Sequence, residues 1–161
     1  MPPVKTHSVR AAEFNLADFL PYRLAVVTES LARIFADNYE GSFNLTIPEW
    51  RTLAVVAEHG TLSPTAVGLH AGMDKVKVSR AAQSLVAKGL LRQSPDPSDG
   101  RGRLLRLTRK GTTTHAAMVP LAMRLQATLF DTLSQAEIAA LNRVLAKIAT
   151  RIEMNGTDPA G

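Results

Sequence analysis

The chain has 161 residues, 45% of them apolar, and a net charge of +5, which suits one folded domain or one compact module with helical extensions. The absence of Cys excludes a disulfide framework, a thiolate metal site and a thiol redox switch. No run approaches the ~20 apolar residues needed to cross a bilayer, and the N-terminus lacks the apolar run of a signal peptide, so we expect a soluble, cytoplasmic protein without a membrane partner.

The first third of the chain predicts an arm followed by one long helix. Residues 1–15 contain two prolines and mixed polar residues, and we expect a loosely ordered arm. With Asp18 as the helix cap, Pro21 falls in the first turn; a start nearer the beginning of the stripe would make Pro21 bend the helix. The apolar residues that follow recur with the period of one buried helical stripe, namely Leu16, Leu20, Leu24, Val27, Leu31, Ile34 and Phe35.

Three short helices follow, each preceded by a cap residue and ended by a glycine. The caps are Thr46, which has Glu49 as its capping-box partner, Ser63 and Asp74. The terminating glycines are Gly60, Gly72 and Gly89. Short helices joined by such tight turns predict a helix-turn-helix.

A hairpin comes next. Leu90–Gln93 and Arg103–Leu107 have the composition of two short strands. Between them, Ser94–Gly102 holds two prolines and two glycines, so we expect an irregular and mobile tip.

Two further helices end the ordered part. One follows Thr108, and the last begins at Ser134, with Glu137 as its capping-box partner. The last helix is expected to bury a stripe formed by Ile138, Leu141, Val144, Leu145, Ile148 and Ile152. Residues 153–161 are expected to form a disordered tail. The predicted fold class is mainly α, with a small β-hairpin wing beside a helix-turn-helix.

Positive charge is concentrated in one segment. Asp74–Gly111 carries ten Lys and Arg against three acids, a net charge of +7, so the rest of the chain carries −2. In the helix of this segment, the packing face is formed by Val78, Ala81, Ala82 and Leu85. The opposite, basic face has two interpretations: an ordinary charged surface in contact with solvent, or a binding surface. We predict that the outward residues contact a polyanion, with DNA as the first choice: Lys75, Val76, Lys77, Ser79, Arg80 and Ser84.

The hairpin adds a second basic element. Arg101 and Arg103 lie among glycines, where the backbone can approach another surface and an Arg can enter a narrow minor groove. Asp99 is expected to orient a neighbouring Arg by a charge-assisted hydrogen bond. An ordinary flexible surface hairpin is the alternative.

Two strings in the basic segment carry a resemblance to a known family: Asp99-x-Arg101-x-x-x-Leu105-x-Leu107-Thr108-x-x-Gly111 and, before it, Lys88–Arg92. The first is similar to the wing signature of the MarR family of bacterial transcriptional regulators, and the second resembles the strand entry that precedes that wing. Leu45–Leu53 is similar to the family's segment that opens the helix before the helix-turn-helix. Family members commonly carry a second Arg directly after the Asp; here that position is Gly100.

The resemblance implies a homodimer that binds double-stranded DNA. In this view residues 16–44 form a first dimerisation helix, 45–111 the winged helix-turn-helix, and 112–152 the C-terminal dimerisation helices. A two-fold dimer would bind a near-palindromic site, with the fourth helix in the major groove and Arg101 in the minor groove.

The resemblance also implies release from DNA by a small, often aromatic or anionic effector. Tyr22, Trp50 and Arg51 are the residues expected near such a ligand, although each has an ordinary structural alternative as a core or surface residue. We expect no cofactor. No metal site is expected either, because the four histidines lack metal-ligand spacing: His7, His59, His70 and His115.

Two other classes of function remain open. A winged helix also serves as a non-catalytic interaction module or as an architectural DNA-binding module without ligand response. An enzyme is the weakest alternative, since the sequence contains no nucleophile elbow, phosphate loop or metal cluster.

Overall fold

The computed structural model describes residues 14–156. This part contains a short 3₁₀ helix (Leu16–Asp18), six α-helices and one hairpin. The helices are α1 (Leu20–Phe43), α2 (Ile47–His59), α3 (Pro64–Ala71), α4 (Lys75–Ala87), α5 (Arg109–Leu129) and α6 (Gln135–Gly156), and the strands are β1 (Leu91–Asp96) and β2 (Asp99–Leu107). The expected fold class is confirmed. Two compact units divide the chain, one ending at His115 and one beginning at Ala116.

The start and end of α1 are set by local backbone chemistry. The side chain of Asn15 caps the 3₁₀ helix by accepting from the amide of Ala17 at 3.0 Å. Asp18 therefore lies inside that helix, and the expectation that it caps α1 is wrong; Phe19 takes the cap position without a side-chain bond. Pro21 does lie in the first turn, as predicted. At the other end, Asn44 adopts a left-handed φ of 53°, which Asn tolerates better than most residues.

The caps predicted for α2, α3 and α4 are confirmed. Both bonds of the Thr46–Glu49 capping box are present, and Glu49 accepts from the Thr46 amide at 2.7 Å. Ser63 accepts from the Ala66 amide at 3.2 Å. Asp74 accepts from the Lys77 amide at 2.8 Å. These bonds satisfy amide donors that a helix start leaves free, so each turn of the helix-turn-helix is fixed by its own sequence.

The core of the first unit lies under α4 and the hairpin. The predicted packing face of α4 is confirmed, since Val78, Ala81, Ala82 and Leu85 are all buried. Leu62 forms an isolated antiparallel bridge with Leu105, so a third extended segment lies against β2. The other buried apolar residues here are Leu53, Val56, Val67, Leu90 and Leu91.

The hairpin is more regular than predicted. The ladder continues from Leu91↔Leu107 to Asp96↔Asp99, so the expectation of an irregular backbone over Ser94–Gly102 is wrong. Pro95 is tolerated because β1 is an edge strand and the register shifts just after Pro95. Asp96 closes the turn by accepting from the amide and hydroxyl of Ser98, at 2.8 and 2.7 Å.

The apolar stripes of α1 and α6 are not buried within the chain. Leu20 is 66% exposed and Val27 57% exposed in α1, and Ile152 is 65% exposed in α6. The predicted burial is therefore wrong for the single chain: helical spacing indicates a contact face but not which chain covers it. In α1 the buried residue is Tyr39, near the C-terminal end.

The predicted cap of α6 is confirmed, because Ser134 and Glu137 form reciprocal bonds. Residues 153–156, expected in a disordered tail, belong to α6, since the helix formers Glu153 and Met154 precede the first glycine. The expected arm and tail otherwise lie in residues 1–13 and 157–161, outside the described residues. No helix between residues 14 and 156 has the length and apolarity needed to span a membrane.

Candidate nucleic-acid interface

The helix α4 presents a basic surface to solvent. It has 13 residues and is therefore about 20 Å long, a length that fits the major groove. Lys77 approaches its own cap Asp74 at 3.5 Å, an exposed pair that contributes little to stability. The predicted contact residues Lys75, Val76, Lys77, Ser79 and Arg80 are all exposed.

Ser84 does not belong to this surface. It is half-buried, and its hydroxyl donates to Oε1 of Glu49 in α2. The expectation that Ser84 points outward is wrong, because its position on α4 faces α2 and a buried carboxylate needs donors there. We therefore leave Ser84 out of the DNA contacts.

Glu49 is the centre of a polar cluster that joins three helices. Its side chain is 4% exposed and accepts from Nζ of Lys88 at 2.8 and 2.9 Å. The same ammonium donates to the backbone carbonyl of Asn44 at 2.7 Å. Lys88 thus ties the end of α4 to the end of α1 and the start of α2.

The cluster also holds the charge of Glu49. Burial by itself raises the pKa of this carboxyl, but the bonds from Lys88, Ser84 and the Thr46 amide outweigh burial and bring the pKa below the ordinary 4.5. The sequence predicted the capping bond alone. The partners on α4 are 35 and 39 residues away, too far for any local pattern to indicate.

The hairpin places Arg101 and Arg103 on β2, both exposed. Oδ1 of Asp99 accepts from the backbone amide of Arg101 at 3.1 Å. Asp99 therefore orients the backbone at the tip, whereas the sequence predicts a bond to an arginine side chain. Gly102 permits the tight tip, because a Cβ there would lie 3.0 Å from the Cβ of Asp96. The exposed Arg101 side chain is therefore carried by a backbone that the bond to Asp99 holds in place.

A cavity of about 210 Å³ lies between α1 and α2. Trp50 and Arg51, two of the three predicted ligand residues, line it together with Thr28, Leu31, Ala32, Phe35 and Ile47. Trp50 stacks on Tyr39 with ring centroids 5.2 Å apart, which fixes one wall. Tyr22, the third predicted ligand residue, is not part of this lining and is 44% exposed, because it lies in the uncovered N-terminal half of α1.

Among residues 14–156, no group of three or more His, Asp or Glu side chains has an arrangement suited to a metal ion. The structure does bring His59 and His70 together, with ring centroids 4.1 Å apart at the ends of α2 and α3. No local pattern in the sequence indicates this stacking. His7 lies outside the described residues.

A helix-turn-helix with an exposed basic helix, followed by an arginine-bearing hairpin, defines a winged-helix DNA-binding transcriptional regulator. Residues 43–102 match the model of the MarR family. In this segment, which spans the start of the helix-turn-helix to the wing tip, the chain is similar to the MarR family, and it is also similar to the relatives below.

The HTH-type transcriptional repressor IacR of Pseudomonas putida is 27% identical over 151 residues, which cover 91% of this chain and 87% of the relative. NicR, an HTH-type transcriptional repressor of Pseudomonas putida KT2440, is 28% identical over 70% of this chain and 71% of its own length. Among solved structures, BpsR of Bordetella bronchiseptica is 27% identical with a TM-score of 0.74, covering 81% of this chain and 98% of that one; its DNA binding is regulated by 6-hydroxynicotinic acid.

Proposed function

We propose that this chain is a homodimeric transcriptional repressor of nearby genes. In this proposal residues 45–111 bind DNA, with α4 in the major groove and Arg101 of the wing in the minor groove. The observation that carries the proposal is the joint exposure of Arg80 on α4 and Arg101 on a braced hairpin in one compact unit. The repressor relatives IacR and NicR support the direction of regulation, and action on DNA implies a cytoplasmic location.

Arg80→Ala and Arg101→Ala are each expected to weaken operator binding by about 10- to 100-fold, since each removes one charge-assisted base contact. The measurement is fluorescence anisotropy on the DNA upstream of the gene, at several salt concentrations. Arg124→Ala, in the exposed part of α5, is the matched control and should bind as the wild type does.

Unchanged binding by both variants would remove the proposed contacts. Equal affinity of the wild type for upstream DNA and for a random duplex would instead favour the architectural module. The enzyme alternative gains no support, because the relatives IacR and NicR are transcriptional repressors.

The homodimer is proposed from the uncovered apolar stripes of α1 and α6, which residues 16–44 and 112–152 would bury against a second copy. Contiguous exposed apolar faces of this kind mark association surfaces. A two-fold arrangement would present two copies of α4 to successive major grooves of a near-palindromic site.

Val144→Glu tests the dimer. Val144 is 51% exposed in the single chain, and burying a charge there should raise the dimer dissociation constant by about 100-fold or more. Light scattering over a dilution series measures this constant. Arg143→Glu, on the opposite side of α6, is the control. A variant that stays dimeric at the wild-type concentrations would exclude α6 from the interface.

The α1–α2 cavity is proposed as the effector site, with a single-ring aromatic acid as its ligand. Phe35 and Trp50 offer ring surfaces, and Arg51 offers a guanidinium for a carboxylate. The relative BpsR responds to such an acid. Glu49 precedes Trp50 and holds Ser84 and Lys88 of α4, so a shift of α2 would move the recognition helix.

Arg51→Leu is expected to weaken binding of 6-hydroxynicotinic acid by about 10-fold or more, because a charge-assisted bond is lost. Isothermal titration calorimetry gives the affinity. Arg33→Leu, outside the cavity on α1, should bind normally. If the wild type binds the acid and the neutral amide equally well, Arg51 does not select the carboxylate.

A further inference from the structure

Two arginines lie directly opposite each other on the hairpin. Arg92 of β1 pairs with Arg106 of β2 in the antiparallel register, and both are exposed. Side chains of directly opposed residues emerge on the same face, and like charges in that position destabilise a sheet. Neither arginine is among the residues proposed above to contact DNA.

Arg106 also contacts a third segment, the residues before α3. Nε of Arg106 donates to Oγ1 of Thr61 at 2.7 Å, and Thr61 precedes Leu62, which bridges to Leu105. This bond fixes the guanidinium of Arg106 and leaves its terminal NH₂ groups for another acceptor. Arg106 is therefore pre-organised, which lowers the entropic cost of binding.

Arg92 and Arg106 both line one open cavity of about 450 Å³. The lining consists of Thr61, Arg92, Gln93, Ser94, Pro95, Pro97, Leu104 and Arg106. No carboxylate is part of this lining. The cavity thus contains two positive charges, hydroxyl groups and no counter-charge from the described chain.

We propose that Arg92 and Arg106 form an oxyanion site that takes a phosphate group. Two guanidinium forks match the geometry and charge of a phosphate, and a bound phosphate would cancel the cross-strand repulsion. The phosphate has two possible sources: the DNA backbone beside the wing, or a free phosphorylated small molecule. The DNA source rests on the proposed function; the free source does not.

The test compares Arg92→Gln and Arg106→Gln with Arg109→Gln, an exposed arginine outside the cavity. In one arm, the Tm of the full chain is measured in sodium phosphate and in sodium chloride at equal ionic strength. The wild type and Arg109→Gln are expected to gain Tm in phosphate, because a ligand that binds the folded state stabilises it, and the cavity variants should lose that gain.

In the second arm, binding to the upstream duplex is followed as a function of salt. If the DNA backbone supplies the phosphate, each cavity variant loses about one unit of the slope of log K against log salt relative to Arg109→Gln. A lost Tm gain with an unchanged slope supports the free phosphorylated ligand. If neither readout differs from that of Arg109→Gln, the site is overturned.

Arg92→Glu guards against a folding defect. It converts the like-charge pair into an ion pair with Arg106, so its Tm in low-salt chloride should exceed that of the wild type while its response to phosphate disappears. A lower Tm than the wild type would contradict the cross-strand repulsion on which the proposal depends. A wild type that shows the phosphate response but no salt-dependent DNA binding would refute the proposed function and leave the oxyanion site standing.

Discussion

Gly111→Ala is expected to destabilise the protein by about 3 kcal/mol or more, the upper end of the effect of overpacking. A Cβ at position 111 would lie 2.0 Å from the carbonyl oxygen of Leu90 and 3.2 Å from Cδ2 of Leu107. The Leu90 carbonyl cannot move aside easily, because it accepts from the Thr108 amide at 3.0 Å. The first turn of α5 would therefore have to move away from Leu90, at the start of the hairpin.

Urea unfolding of the full chain measures this change. Gly100→Ala is the matched control, since a Cβ there meets nothing within 4 Å, and its effect should stay within about 0.5 kcal/mol. Equal midpoints for the two variants would show that the α5 turn yields without cost. The contrast also separates the two glycines of the wing signature region: one is required by close approach, the other is not.

Lys88→Met should cost about 3 kcal/mol, because it leaves the buried carboxylate of Glu49 without its cation. The Asn44 carbonyl loses its donor as well. Lys110→Met is the control: its ammonium also donates to a backbone carbonyl, that of Lys88 at 2.9 Å, but it has no buried acid to neutralise. A Lys88→Met variant no weaker than Lys110→Met would show that water replaces the ammonium.

The same cluster predicts the direction of acid sensitivity. Since the pKa of Glu49 is lowered in the folded state, its contribution to stability is complete above the ordinary 4.5 and is lost as the pH falls through the folded-state pKa. Glu49→Gln should therefore flatten the fall in unfolding free energy below about pH 4.5, and Glu58→Gln, an exposed acid of the same helix, is the control. Parallel pH profiles for the wild type and Glu49→Gln would contradict the lowered pKa.

The sequence predicted best what depends on near neighbours. Thr46, Ser63, Asp74 and Ser134 all cap the predicted helices, because a cap joins groups only three residues apart. The inner face of α4 followed from helical spacing for the same reason. Asp18 failed because Asn15, also a good cap, formed a separate 3₁₀ turn earlier in the chain.

The failure at Ser84 concerns a contact over a long distance in the chain. Nothing near Ser84 in the sequence indicates that Glu49 lies beside it, so an outward position was the natural prediction. The Pro and Gly content of the wing tip predicts an irregular backbone. The turn is regular nevertheless, because Asp96 closes it by a hydrogen bond and β1, as an edge strand, tolerates Pro95. The spacing of the α1 and α6 stripes predicts an apolar contact face, but these residues are exposed in the single chain, because spacing does not indicate what covers such a face.

The ammonium group of Lys88 joins the ends of three helices, which bears on more than stability. Lys88 contacts the last carbonyl after α1, the first turn of α2 and, through its own backbone, the end of α4. In the proposed dimer, α1 would pack against the partner, so Lys88 would help to set the separation of the two recognition helices. The Lys88 contacts would then determine which half-site spacing the dimer accepts. Their loss should widen the range of operator spacings that are bound rather than abolish binding.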